Sequence, residues 1–276
     1  MATRLPVLAD QDRSFSTDRR DSWWLQPSTV FLGLTAFVAY STWALFQADY
    51  YYAEPYLSPM YSPVLFTHTG AAAGAPMDLA WFGSWPQWWP GFLPPSPAIL
   101  VLVFPLSFRF TCYYYRKAYY RAFAGSPPAC AVAPLGKDKK QYKGETGLLV
   151  FQNLHRYALY FALAFLVFLY HDAYLAFFRG GEPGVGVGTI VLLINPTLLA
   201  LYTFGCHSFR HLVGGHDDCM SCGSDTARYG TWRKVSWLNQ RHALFAWASL
   251  IWVAFTDVYV RLVAMGVITD LNTWDS

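Results

Sequence analysis

Hydrophobic residues run along this chain in long unbroken blocks. From Ser22 to Ala48, and again from Leu79 to Phe108, there is no Asp, Glu, Lys or Arg. Apolar runs beyond about 18 residues mark bilayer spans. Five spans are predicted, at 27–48, 97–119, 147–170, 187–209 and 237–261. Each is close to the ~20 helical residues that cross about 30 Å of hydrocarbon. The second opens on Pro97, a favourable first helical residue, and should kink at Pro105. The fourth should bend at Asn195-Pro196. The fold class expected is therefore an all-α membrane protein, a bundle of five transmembrane helices.

The polar segments between these blocks orient the bundle. The tail 1–26 carries Arg4, Arg13, Arg19 and Arg20, whereas the loop 49–96 has no Lys or Arg. The next loop holds Arg116, Lys117, Arg121, Lys137, Lys139, Lys140 and Lys143; the following one has only Arg179. The last, within 210–236, holds Arg228, Arg233 and Lys234. Lys and Arg accumulate on the cytoplasmic side. This alternation places the N-terminus in the cytoplasm, and the C-terminus, with the tail 266–276, outside. The transmembrane domain is thus read as 27–265, with an aromatic outer loop at 49–96. The Tyr, Trp and Pro of that loop suit the outer headgroup level.

Composition agrees: 54% of residues are hydrophobic and only 13% charged, against about 25% charged in a soluble domain. A net charge of +3 and the absence of a long basic run leave nothing for nucleic acid to bind. The first residues lack a short apolar core followed by a small-residue cleavage site, so no cleaved signal peptide is read. The expected location is a bacterial cytoplasmic membrane, crossed several times and in contact with lipid.

Ionisable residues inside the spans are where chemistry is expected. Counted at about 1.5 Å per residue from each cytoplasmic helix end, Arg109, His155, Arg156, Cys206, His207, Arg241 and His242 fall at one level. Arg210 and His211 lie just below. Such groups cost several kcal/mol in hydrocarbon, about 2.5–3.5 or more, unless paired or solvated. Snorkelling accounts for Arg210 and Arg241; Arg109, His155 and His242 are better explained by a shared polar site. Cys112 and Cys130 read as buried or interfacial free thiols. Asp257 can pair with Arg261 at i, i+4, and no chemistry is assigned to it.

The stretch CHSFRHLVGGHDDCMSCG, residues 206–223, holds three of the five cysteines and three of the seven histidines. His207 and His211 at i, i+4 share a helix face. Cys219 and Cys222 form a CxxC that can chelate one metal. On the cytoplasmic side a structural disulfide is not expected. Two His and two Cys satisfy tetrahedral zinc, and equally a Rieske-type [2Fe–2S] centre. Cys206 and His216 are alternates for any of the four.

The segments GCHSFRHLVGG and LNQRHALFAWASLIWVAFTDVYVRL resemble the membrane-anchor subunit of actinobacterial succinate dehydrogenases of the heme-free kind. The likeness runs from NLHRY onward through the C-terminal part of the chain and is strongest over 205–262. It implies a subunit that holds a flavoprotein and an iron–sulfur subunit on the cytoplasmic face. It also implies a membrane-embedded Rieske-type [2Fe–2S] cluster in place of heme b. Electrons would pass to a membrane quinone, menaquinone or ubiquinone, with room for a higher oligomer of the complex. On this expectation His207, His211, Cys219 and Cys222 hold the cluster, and the layer of Arg109, His155, Arg156, Arg241 and His242 lines the quinone site. The chain alone should have no activity. Two rivals remain: a heme b cytochrome anchor using His155, His211 and His242 as axial ligands, and a membrane thiol oxidoreductase working through the CxxC.

Overall fold

The computed structural model describes residues 13–68, 74–135, 150, 152–215, 219, 222 and 227–275. Among these, four helices are long and apolar enough to cross a membrane: α1 (Leu25–Gln47), α5 (His155–Leu175), α6 (Val187–Phe204) and α9 (His242–Ala264). Shorter helices are α2 (Pro97–Val101), α3 (Val103–Phe110), α4 (Tyr113–Ala122), α7 (His207–Gly214) and α8 (Ala227–Gln240). Two hairpins complete the described elements: β1 (Tyr52–Ala53) with β2 (Tyr56–Leu57), and β3 (Phe178–Arg179) with β4 (Glu182–Pro183).

The second predicted span, 97–119, corrects to three short helices. Its first break is at Leu102 rather than at Pro105. A proline ring crowds the carbonyl four residues earlier and leaves it unpaired, which moves the disturbance one turn back, to Val101. The second break is at Cys112, whose backbone is extended. Beyond it α4 carries Arg116, Lys117 and Arg121, a composition that suits headgroups and water rather than hydrocarbon. The other ends shift as well. α5 begins at His155, after a turn at Leu154 that follows the helical Gln152 and Asn153, while 147–149 lie outside the described residues; α6 ends at Phe204, and the helix predicted from 237 is split at Arg241.

The chain divides into two units, Met1–Val38 with Arg109–Leu154, and Ala39–Phe108 with His155–Ser276. In the first, the N-terminal segment pairs with residues 130–133. Ala133 N–H donates to Ser16 O at 2.9 Å, Thr17 Oγ1 to Ala131 O at 2.7 Å and Arg19 Nη1 to Cys130 O at 2.9 Å. Phe31 packs on Phe123, their ring centroids 4.8 Å apart.

In the second unit α6 is the central helix, with α5 and α9 packed against it. Its small and polar residues Gly188, Thr189 and Asn195 are buried, which lets neighbours approach closely. Pro196 lies inside α6. Near that bend the Trp252 indole N–H donates to Val191 O at 3.1 Å, so α9 supplies a donor where the helix ladder is disturbed. Whereas α6 is largely covered, α1 buries only Ala44 of its 23 residues. An uncharged helix with that much apolar exposure is stable only against lipid.

The outer loop folds inward. Tyr51, Tyr56 and Tyr61 are all but fully buried, and the rings of Tyr51 and Tyr61 stack at 4.3 Å. The expectation of headgroup-level aromatics fits the exposed Trp81, Phe82, Trp88 and Phe92, not these tyrosines. Tyr56 reaches the buried Asp270 and Tyr61 reaches Arg261, the partner of the buried Asp257. Asp257, 0% exposed, accepts from Tyr40 at 2.5 Å, from Ser58, and from Arg261 Nε at 2.8 Å. Arg261 also donates to Gln47 Oε1 at 2.5 Å, Asp49 O at 2.7 Å and the Tyr61 hydroxyl at 3.0 Å. The i, i+4 pairing expected of Asp257 and Arg261 is present. Asp270 is held differently, by the hydroxyls of Tyr56 at 2.6 Å and Tyr259, and by Gly188 N–H at 2.8 Å. That N–H lies in the first turn of α6, where the helix dipole favours a negative charge. Burial beside this carboxylate pushes the Tyr56 hydroxyl pKa upward, desolvation being the largest cause.

Candidate functional site: the aromatic–histidine layer

At the end of the second unit away from these carboxylates, four helices contribute one ring each. His155 is the first residue of α5 and His242 the first of α9. Phe108 and Tyr202 lie near the ends of α3 and α6. His155 stacks on Phe108 at 4.6 Å with 12° between planes. Phe108 meets Tyr202 edge-on at 5.5 Å, and Tyr202 stacks on His242 at 4.8 Å and 18°. The result is a continuous run of four rings, His155–Phe108–Tyr202–His242. Phe108 is 2%, Tyr202 1% and His155 8% exposed. A neutral imidazole has one ring nitrogen that donates a hydrogen bond and one that accepts.

Chain reversals explain why these residues meet. α5 and α6 are joined by the short β3–β4 hairpin, which returns the end of α6 to the level of the start of α5. After Phe204 the chain turns at Gly205–Cys206, where the Cys206 Sγ caps α7 by accepting from Phe209 N–H at 3.1 Å. Asn239 Nδ2, near the end of α8, donates to Gly205 O at 2.8 Å. A Cβ at position 205 would stand 2.8 Å from Leu201 O and 3.2 Å from Leu238 O. Glycine thus permits the approach that sets the start of α9, and His242 with it, beside Tyr202.

Of the residues predicted for the layer, His155 and His242 join this run. Arg156 and Arg241 are exposed. Arg241 lies over the Trp237 ring at 4.1 Å and donates to the Trp237 carbonyl. Arg210 is tied down as well, with Nε on Ser236 Oγ at 3.0 Å and its guanidinium over Trp232. Arg109 belongs to the first unit, where Nη1 donates to the Tyr115 hydroxyl at 2.7 Å.

The ligand set read from spacing is not gathered. His207 and His211 are exposed on α7, Cys219 and Cys222 are exposed and joined to each other as a disulfide, and His216 lies outside the described residues. Free thiols were expected in that CxxC. A two-residue spacer that suits metal chelation also brings the Cα atoms to 5.5 Å, within reach of an S–S bond. Among the described residues no three His, Cys, Asp or Glu side chains converge as a metal site requires. The four therefore do not fit a cluster as placed. The buried Cys and His are different ones, namely Cys112, Cys206 and His155. Cys112 and Cys130 carry no disulfide, as their free-thiol reading expects, Cys112 buried and Cys130 exposed; Cys206, the alternate ligand, is a buried thiol as well.

Phe108 and Tyr202 were missed by the sequence reading. Both sit in apolar runs with nothing to set them apart from packing aromatics; their adjacency to His155 and His242 is a tertiary fact.

Comparison with known proteins locates this arrangement. Residues 25–266 match the family described as actinobacterial succinate dehydrogenase subunit SdhC. Among curated proteins nothing matches. A solved structure, the Mycobacterium smegmatis Sdh1 complex in the apo form, contains a chain 43% identical to this one. It superposes with a TM-score of 0.80 over 92% of this chain and 93% of that chain. With most of its length matched and four apolar membrane-crossing helices, this chain belongs to the actinobacterial succinate dehydrogenase subunit SdhC family, the multi-pass membrane subunit of that bacterial enzyme.

Proposed function

We propose that this subunit anchors a flavoprotein and an iron–sulfur subunit and passes their electrons to a membrane quinone, reduced at the aromatic–histidine layer. The observation that carries this reading is the four-ring run of His155, Phe108, Tyr202 and His242. It combines flat apolar faces, which accept a quinoid ring, with two imidazoles able to hold its oxygens and deliver protons. The Lys and Arg asymmetry assigns this end to the cytoplasmic side, where soluble partners dock. Succinate is oxidised in the flavoprotein, and this chain contributes the place, the orientation and the protons for the acceptor.

The cofactor part of the reading is a [2Fe–2S] cluster with mixed His and Cys ligands. Donor chemistry alone supports it, for His207, His211, Cys219 and Cys222 are exposed and, among the described residues, not gathered as a ligand set. No step is derived through it.

The test uses the whole complex purified in mild detergent. His155→Phe and His242→Phe keep a ring for the stack and remove the imidazole. Quinone reduction by succinate should fall about 100-fold or more, while succinate oxidation with a soluble dye acceptor persists. His207→Ala with His211→Ala should leave quinone reduction near wild type. Full quinone reduction in both phenylalanine variants would sink this assignment. Iron and heme content with low-temperature EPR decides the cofactor. An extra reduced signal without heme supports the cluster, and stoichiometric heme returns the question to a b-type anchor.

A further inference from the structure

The first unit holds a cationic cleft whose residues the electron-transfer reading does not use. It lies between the first two turns of α1 and α4, with a volume of about 90 Å³. Gln26, Pro27 and Val30 line it from α1, and Tyr114, Lys117 and Arg121 from α4. All six belong to one unit. α4 carries three cations and no acid. Lys117 and Arg121 stand at i, i+4, so they share a helix face, and like charges at that spacing repel. Among the described residues no carboxylate pairs with either, and none lines the cleft.

Size, charge and depth together restrict the occupant. A cavity of about 150 Å³ holds benzene, so this one is too small for a ring but has room for a tetrahedral oxyanion. Two unneutralised cations call for an anion, and phosphate oxygens suit both the point charge of Lys and the fork of Arg. The Lys and Arg asymmetry assigns this end of α1 to the cytoplasmic side, the leaflet that carries anionic lipid. From Val30, the half-buried Leu34 and Phe37 follow along α1 at i+4 and i+7. That strip begins at the cleft and gives an acyl chain an apolar path. A free phosphate ion would leave the strip idle, and a zwitterionic lipid would bring its ammonium towards two cations.

We propose that this cleft binds the phosphate headgroup of an anionic phospholipid of the cytoplasmic leaflet. The phosphate sits at Lys117 and Arg121, the Gln26 amide supplies a further donor, and an acyl chain follows Val30, Leu34 and Phe37. The bound lipid neutralises the repelling pair and bridges α1 and α4. This site does not depend on where quinone is reduced.

The experiment uses the intact complex, delipidated in mild detergent and titrated with dioleoyl phosphatidylglycerol, dioleoyl phosphatidylcholine or inorganic phosphate. Native mass spectrometry counts what binds, and a phosphatidylglycerol with a diazirine in its acyl chain maps where. Succinate oxidation with a dye acceptor, measured on the same samples, reports an intact complex. Phosphatidylglycerol should bind in preference to the other two and label the peptide spanning 25–38. Lys117→Gln with Arg121→Gln should weaken it about 30-fold, at about 1 kcal/mol for each cation near an anionic lipid. Lys117→Arg with Arg121→Lys keeps both charges and should bind as the wild type does. Ala118→Phe, at another lining position, fills the cleft without touching the cations and should remove the label. Equal binding of phosphatidylcholine overturns the proposal, and so does inorganic phosphate binding as tightly as the lipid. Label unchanged by the double glutamine variant in a complex that oxidises succinate overturns it as well. Label that survives Ala118→Phe marks a general attraction of a basic helix for anionic membrane, and no site. If Ala118→Phe fails to assemble, the two charge variants decide by themselves.

Discussion

The two ends of the Ala39–Phe108 and His155–Ser276 unit use opposite means to place polar groups inside a membrane protein. At the Asp257 end, charges are buried and matched. Asp257 meets Arg261, and Arg261 spreads its remaining donors over Gln47, Asp49 and Tyr61. At the His155 end the named contacts are ring on ring, and the polar groups are imidazoles rather than fixed charges. A matched charge network resists change, because removing one member strands another in low dielectric. An imidazole carries no obligatory charge, so it can sit against an aromatic face without a counter-ion. The first arrangement holds a loop in place; the second brings hydrogen-bonding rings together without a fixed charge.

Substitutions can break this contrast. The largest effect should come from Arg261→Met, which leaves Asp257 buried without its cation and should cost about 3–5 kcal/mol. Loss of assembled complex and a lowered midpoint in detergent thermal melts would report it. Quinone turnover per surviving complex should be unchanged, since the damage lies at the wrong end. If the double change Asp257→Leu with Arg261→Met is no milder, the buried pair is not the cause.

Gly188→Ala comes next. The added Cβ would stand 2.5–2.6 Å from ring carbons of Tyr56, and overpacking of this kind costs about 1–3 kcal/mol. The same melts check it, with protease sensitivity of the outer loop as a second readout. Tyr56→Phe removes one donor to Asp270 and should cost about 1 kcal/mol, without affecting quinone reduction. The smallest effect concerns Asp275, held below the usual carboxylate range by Asn272 first and Arg179 second. Its pKa is lower folded than unfolded, so its stabilisation is present at neutral pH and fades as pH falls through the lowered value. Asp275→Asn should therefore lower stability slightly at neutral pH, and the difference from wild type should vanish as pH falls through the acid limb.

The long helices were legible in the sequence because charge-free runs admit no other fate in a membrane protein. α1, α6 and α9 lie close to where the charge pattern puts them. The segment 97–119 was misread because a window that averages hydropathy cannot see that its second half carries cations. For the site, His155 and His242 stood out as ionisable residues at the edge of apolar runs. The neighbouring His/Cys cluster stood out more and is exposed, since dense spacing advertises ligands whether or not the fold gathers them. Asp270 carried no signal at all in an eleven-residue tail, and its role depends on Tyr56, some 214 residues earlier in the chain.

The sequence by itself determined that the chain lives in a bilayer, where its long charge-free stretches lie, which loops carry the positive charge, and that an Asp and an Arg four residues apart on the last helix can pair. These follow from local composition and period, which the solvent reads directly. Only the tertiary structure decided which histidines enter the layer, that Phe108 and Tyr202 join them in one run of rings, and that an apparently interfacial loop folds Tyr61 onto Arg261 and Tyr56 onto Asp270. Those outcomes depend on helix ends brought together by turns and by a glycine at 205 that lets another helix approach. A contact between residues a hundred positions apart has no local period to announce it.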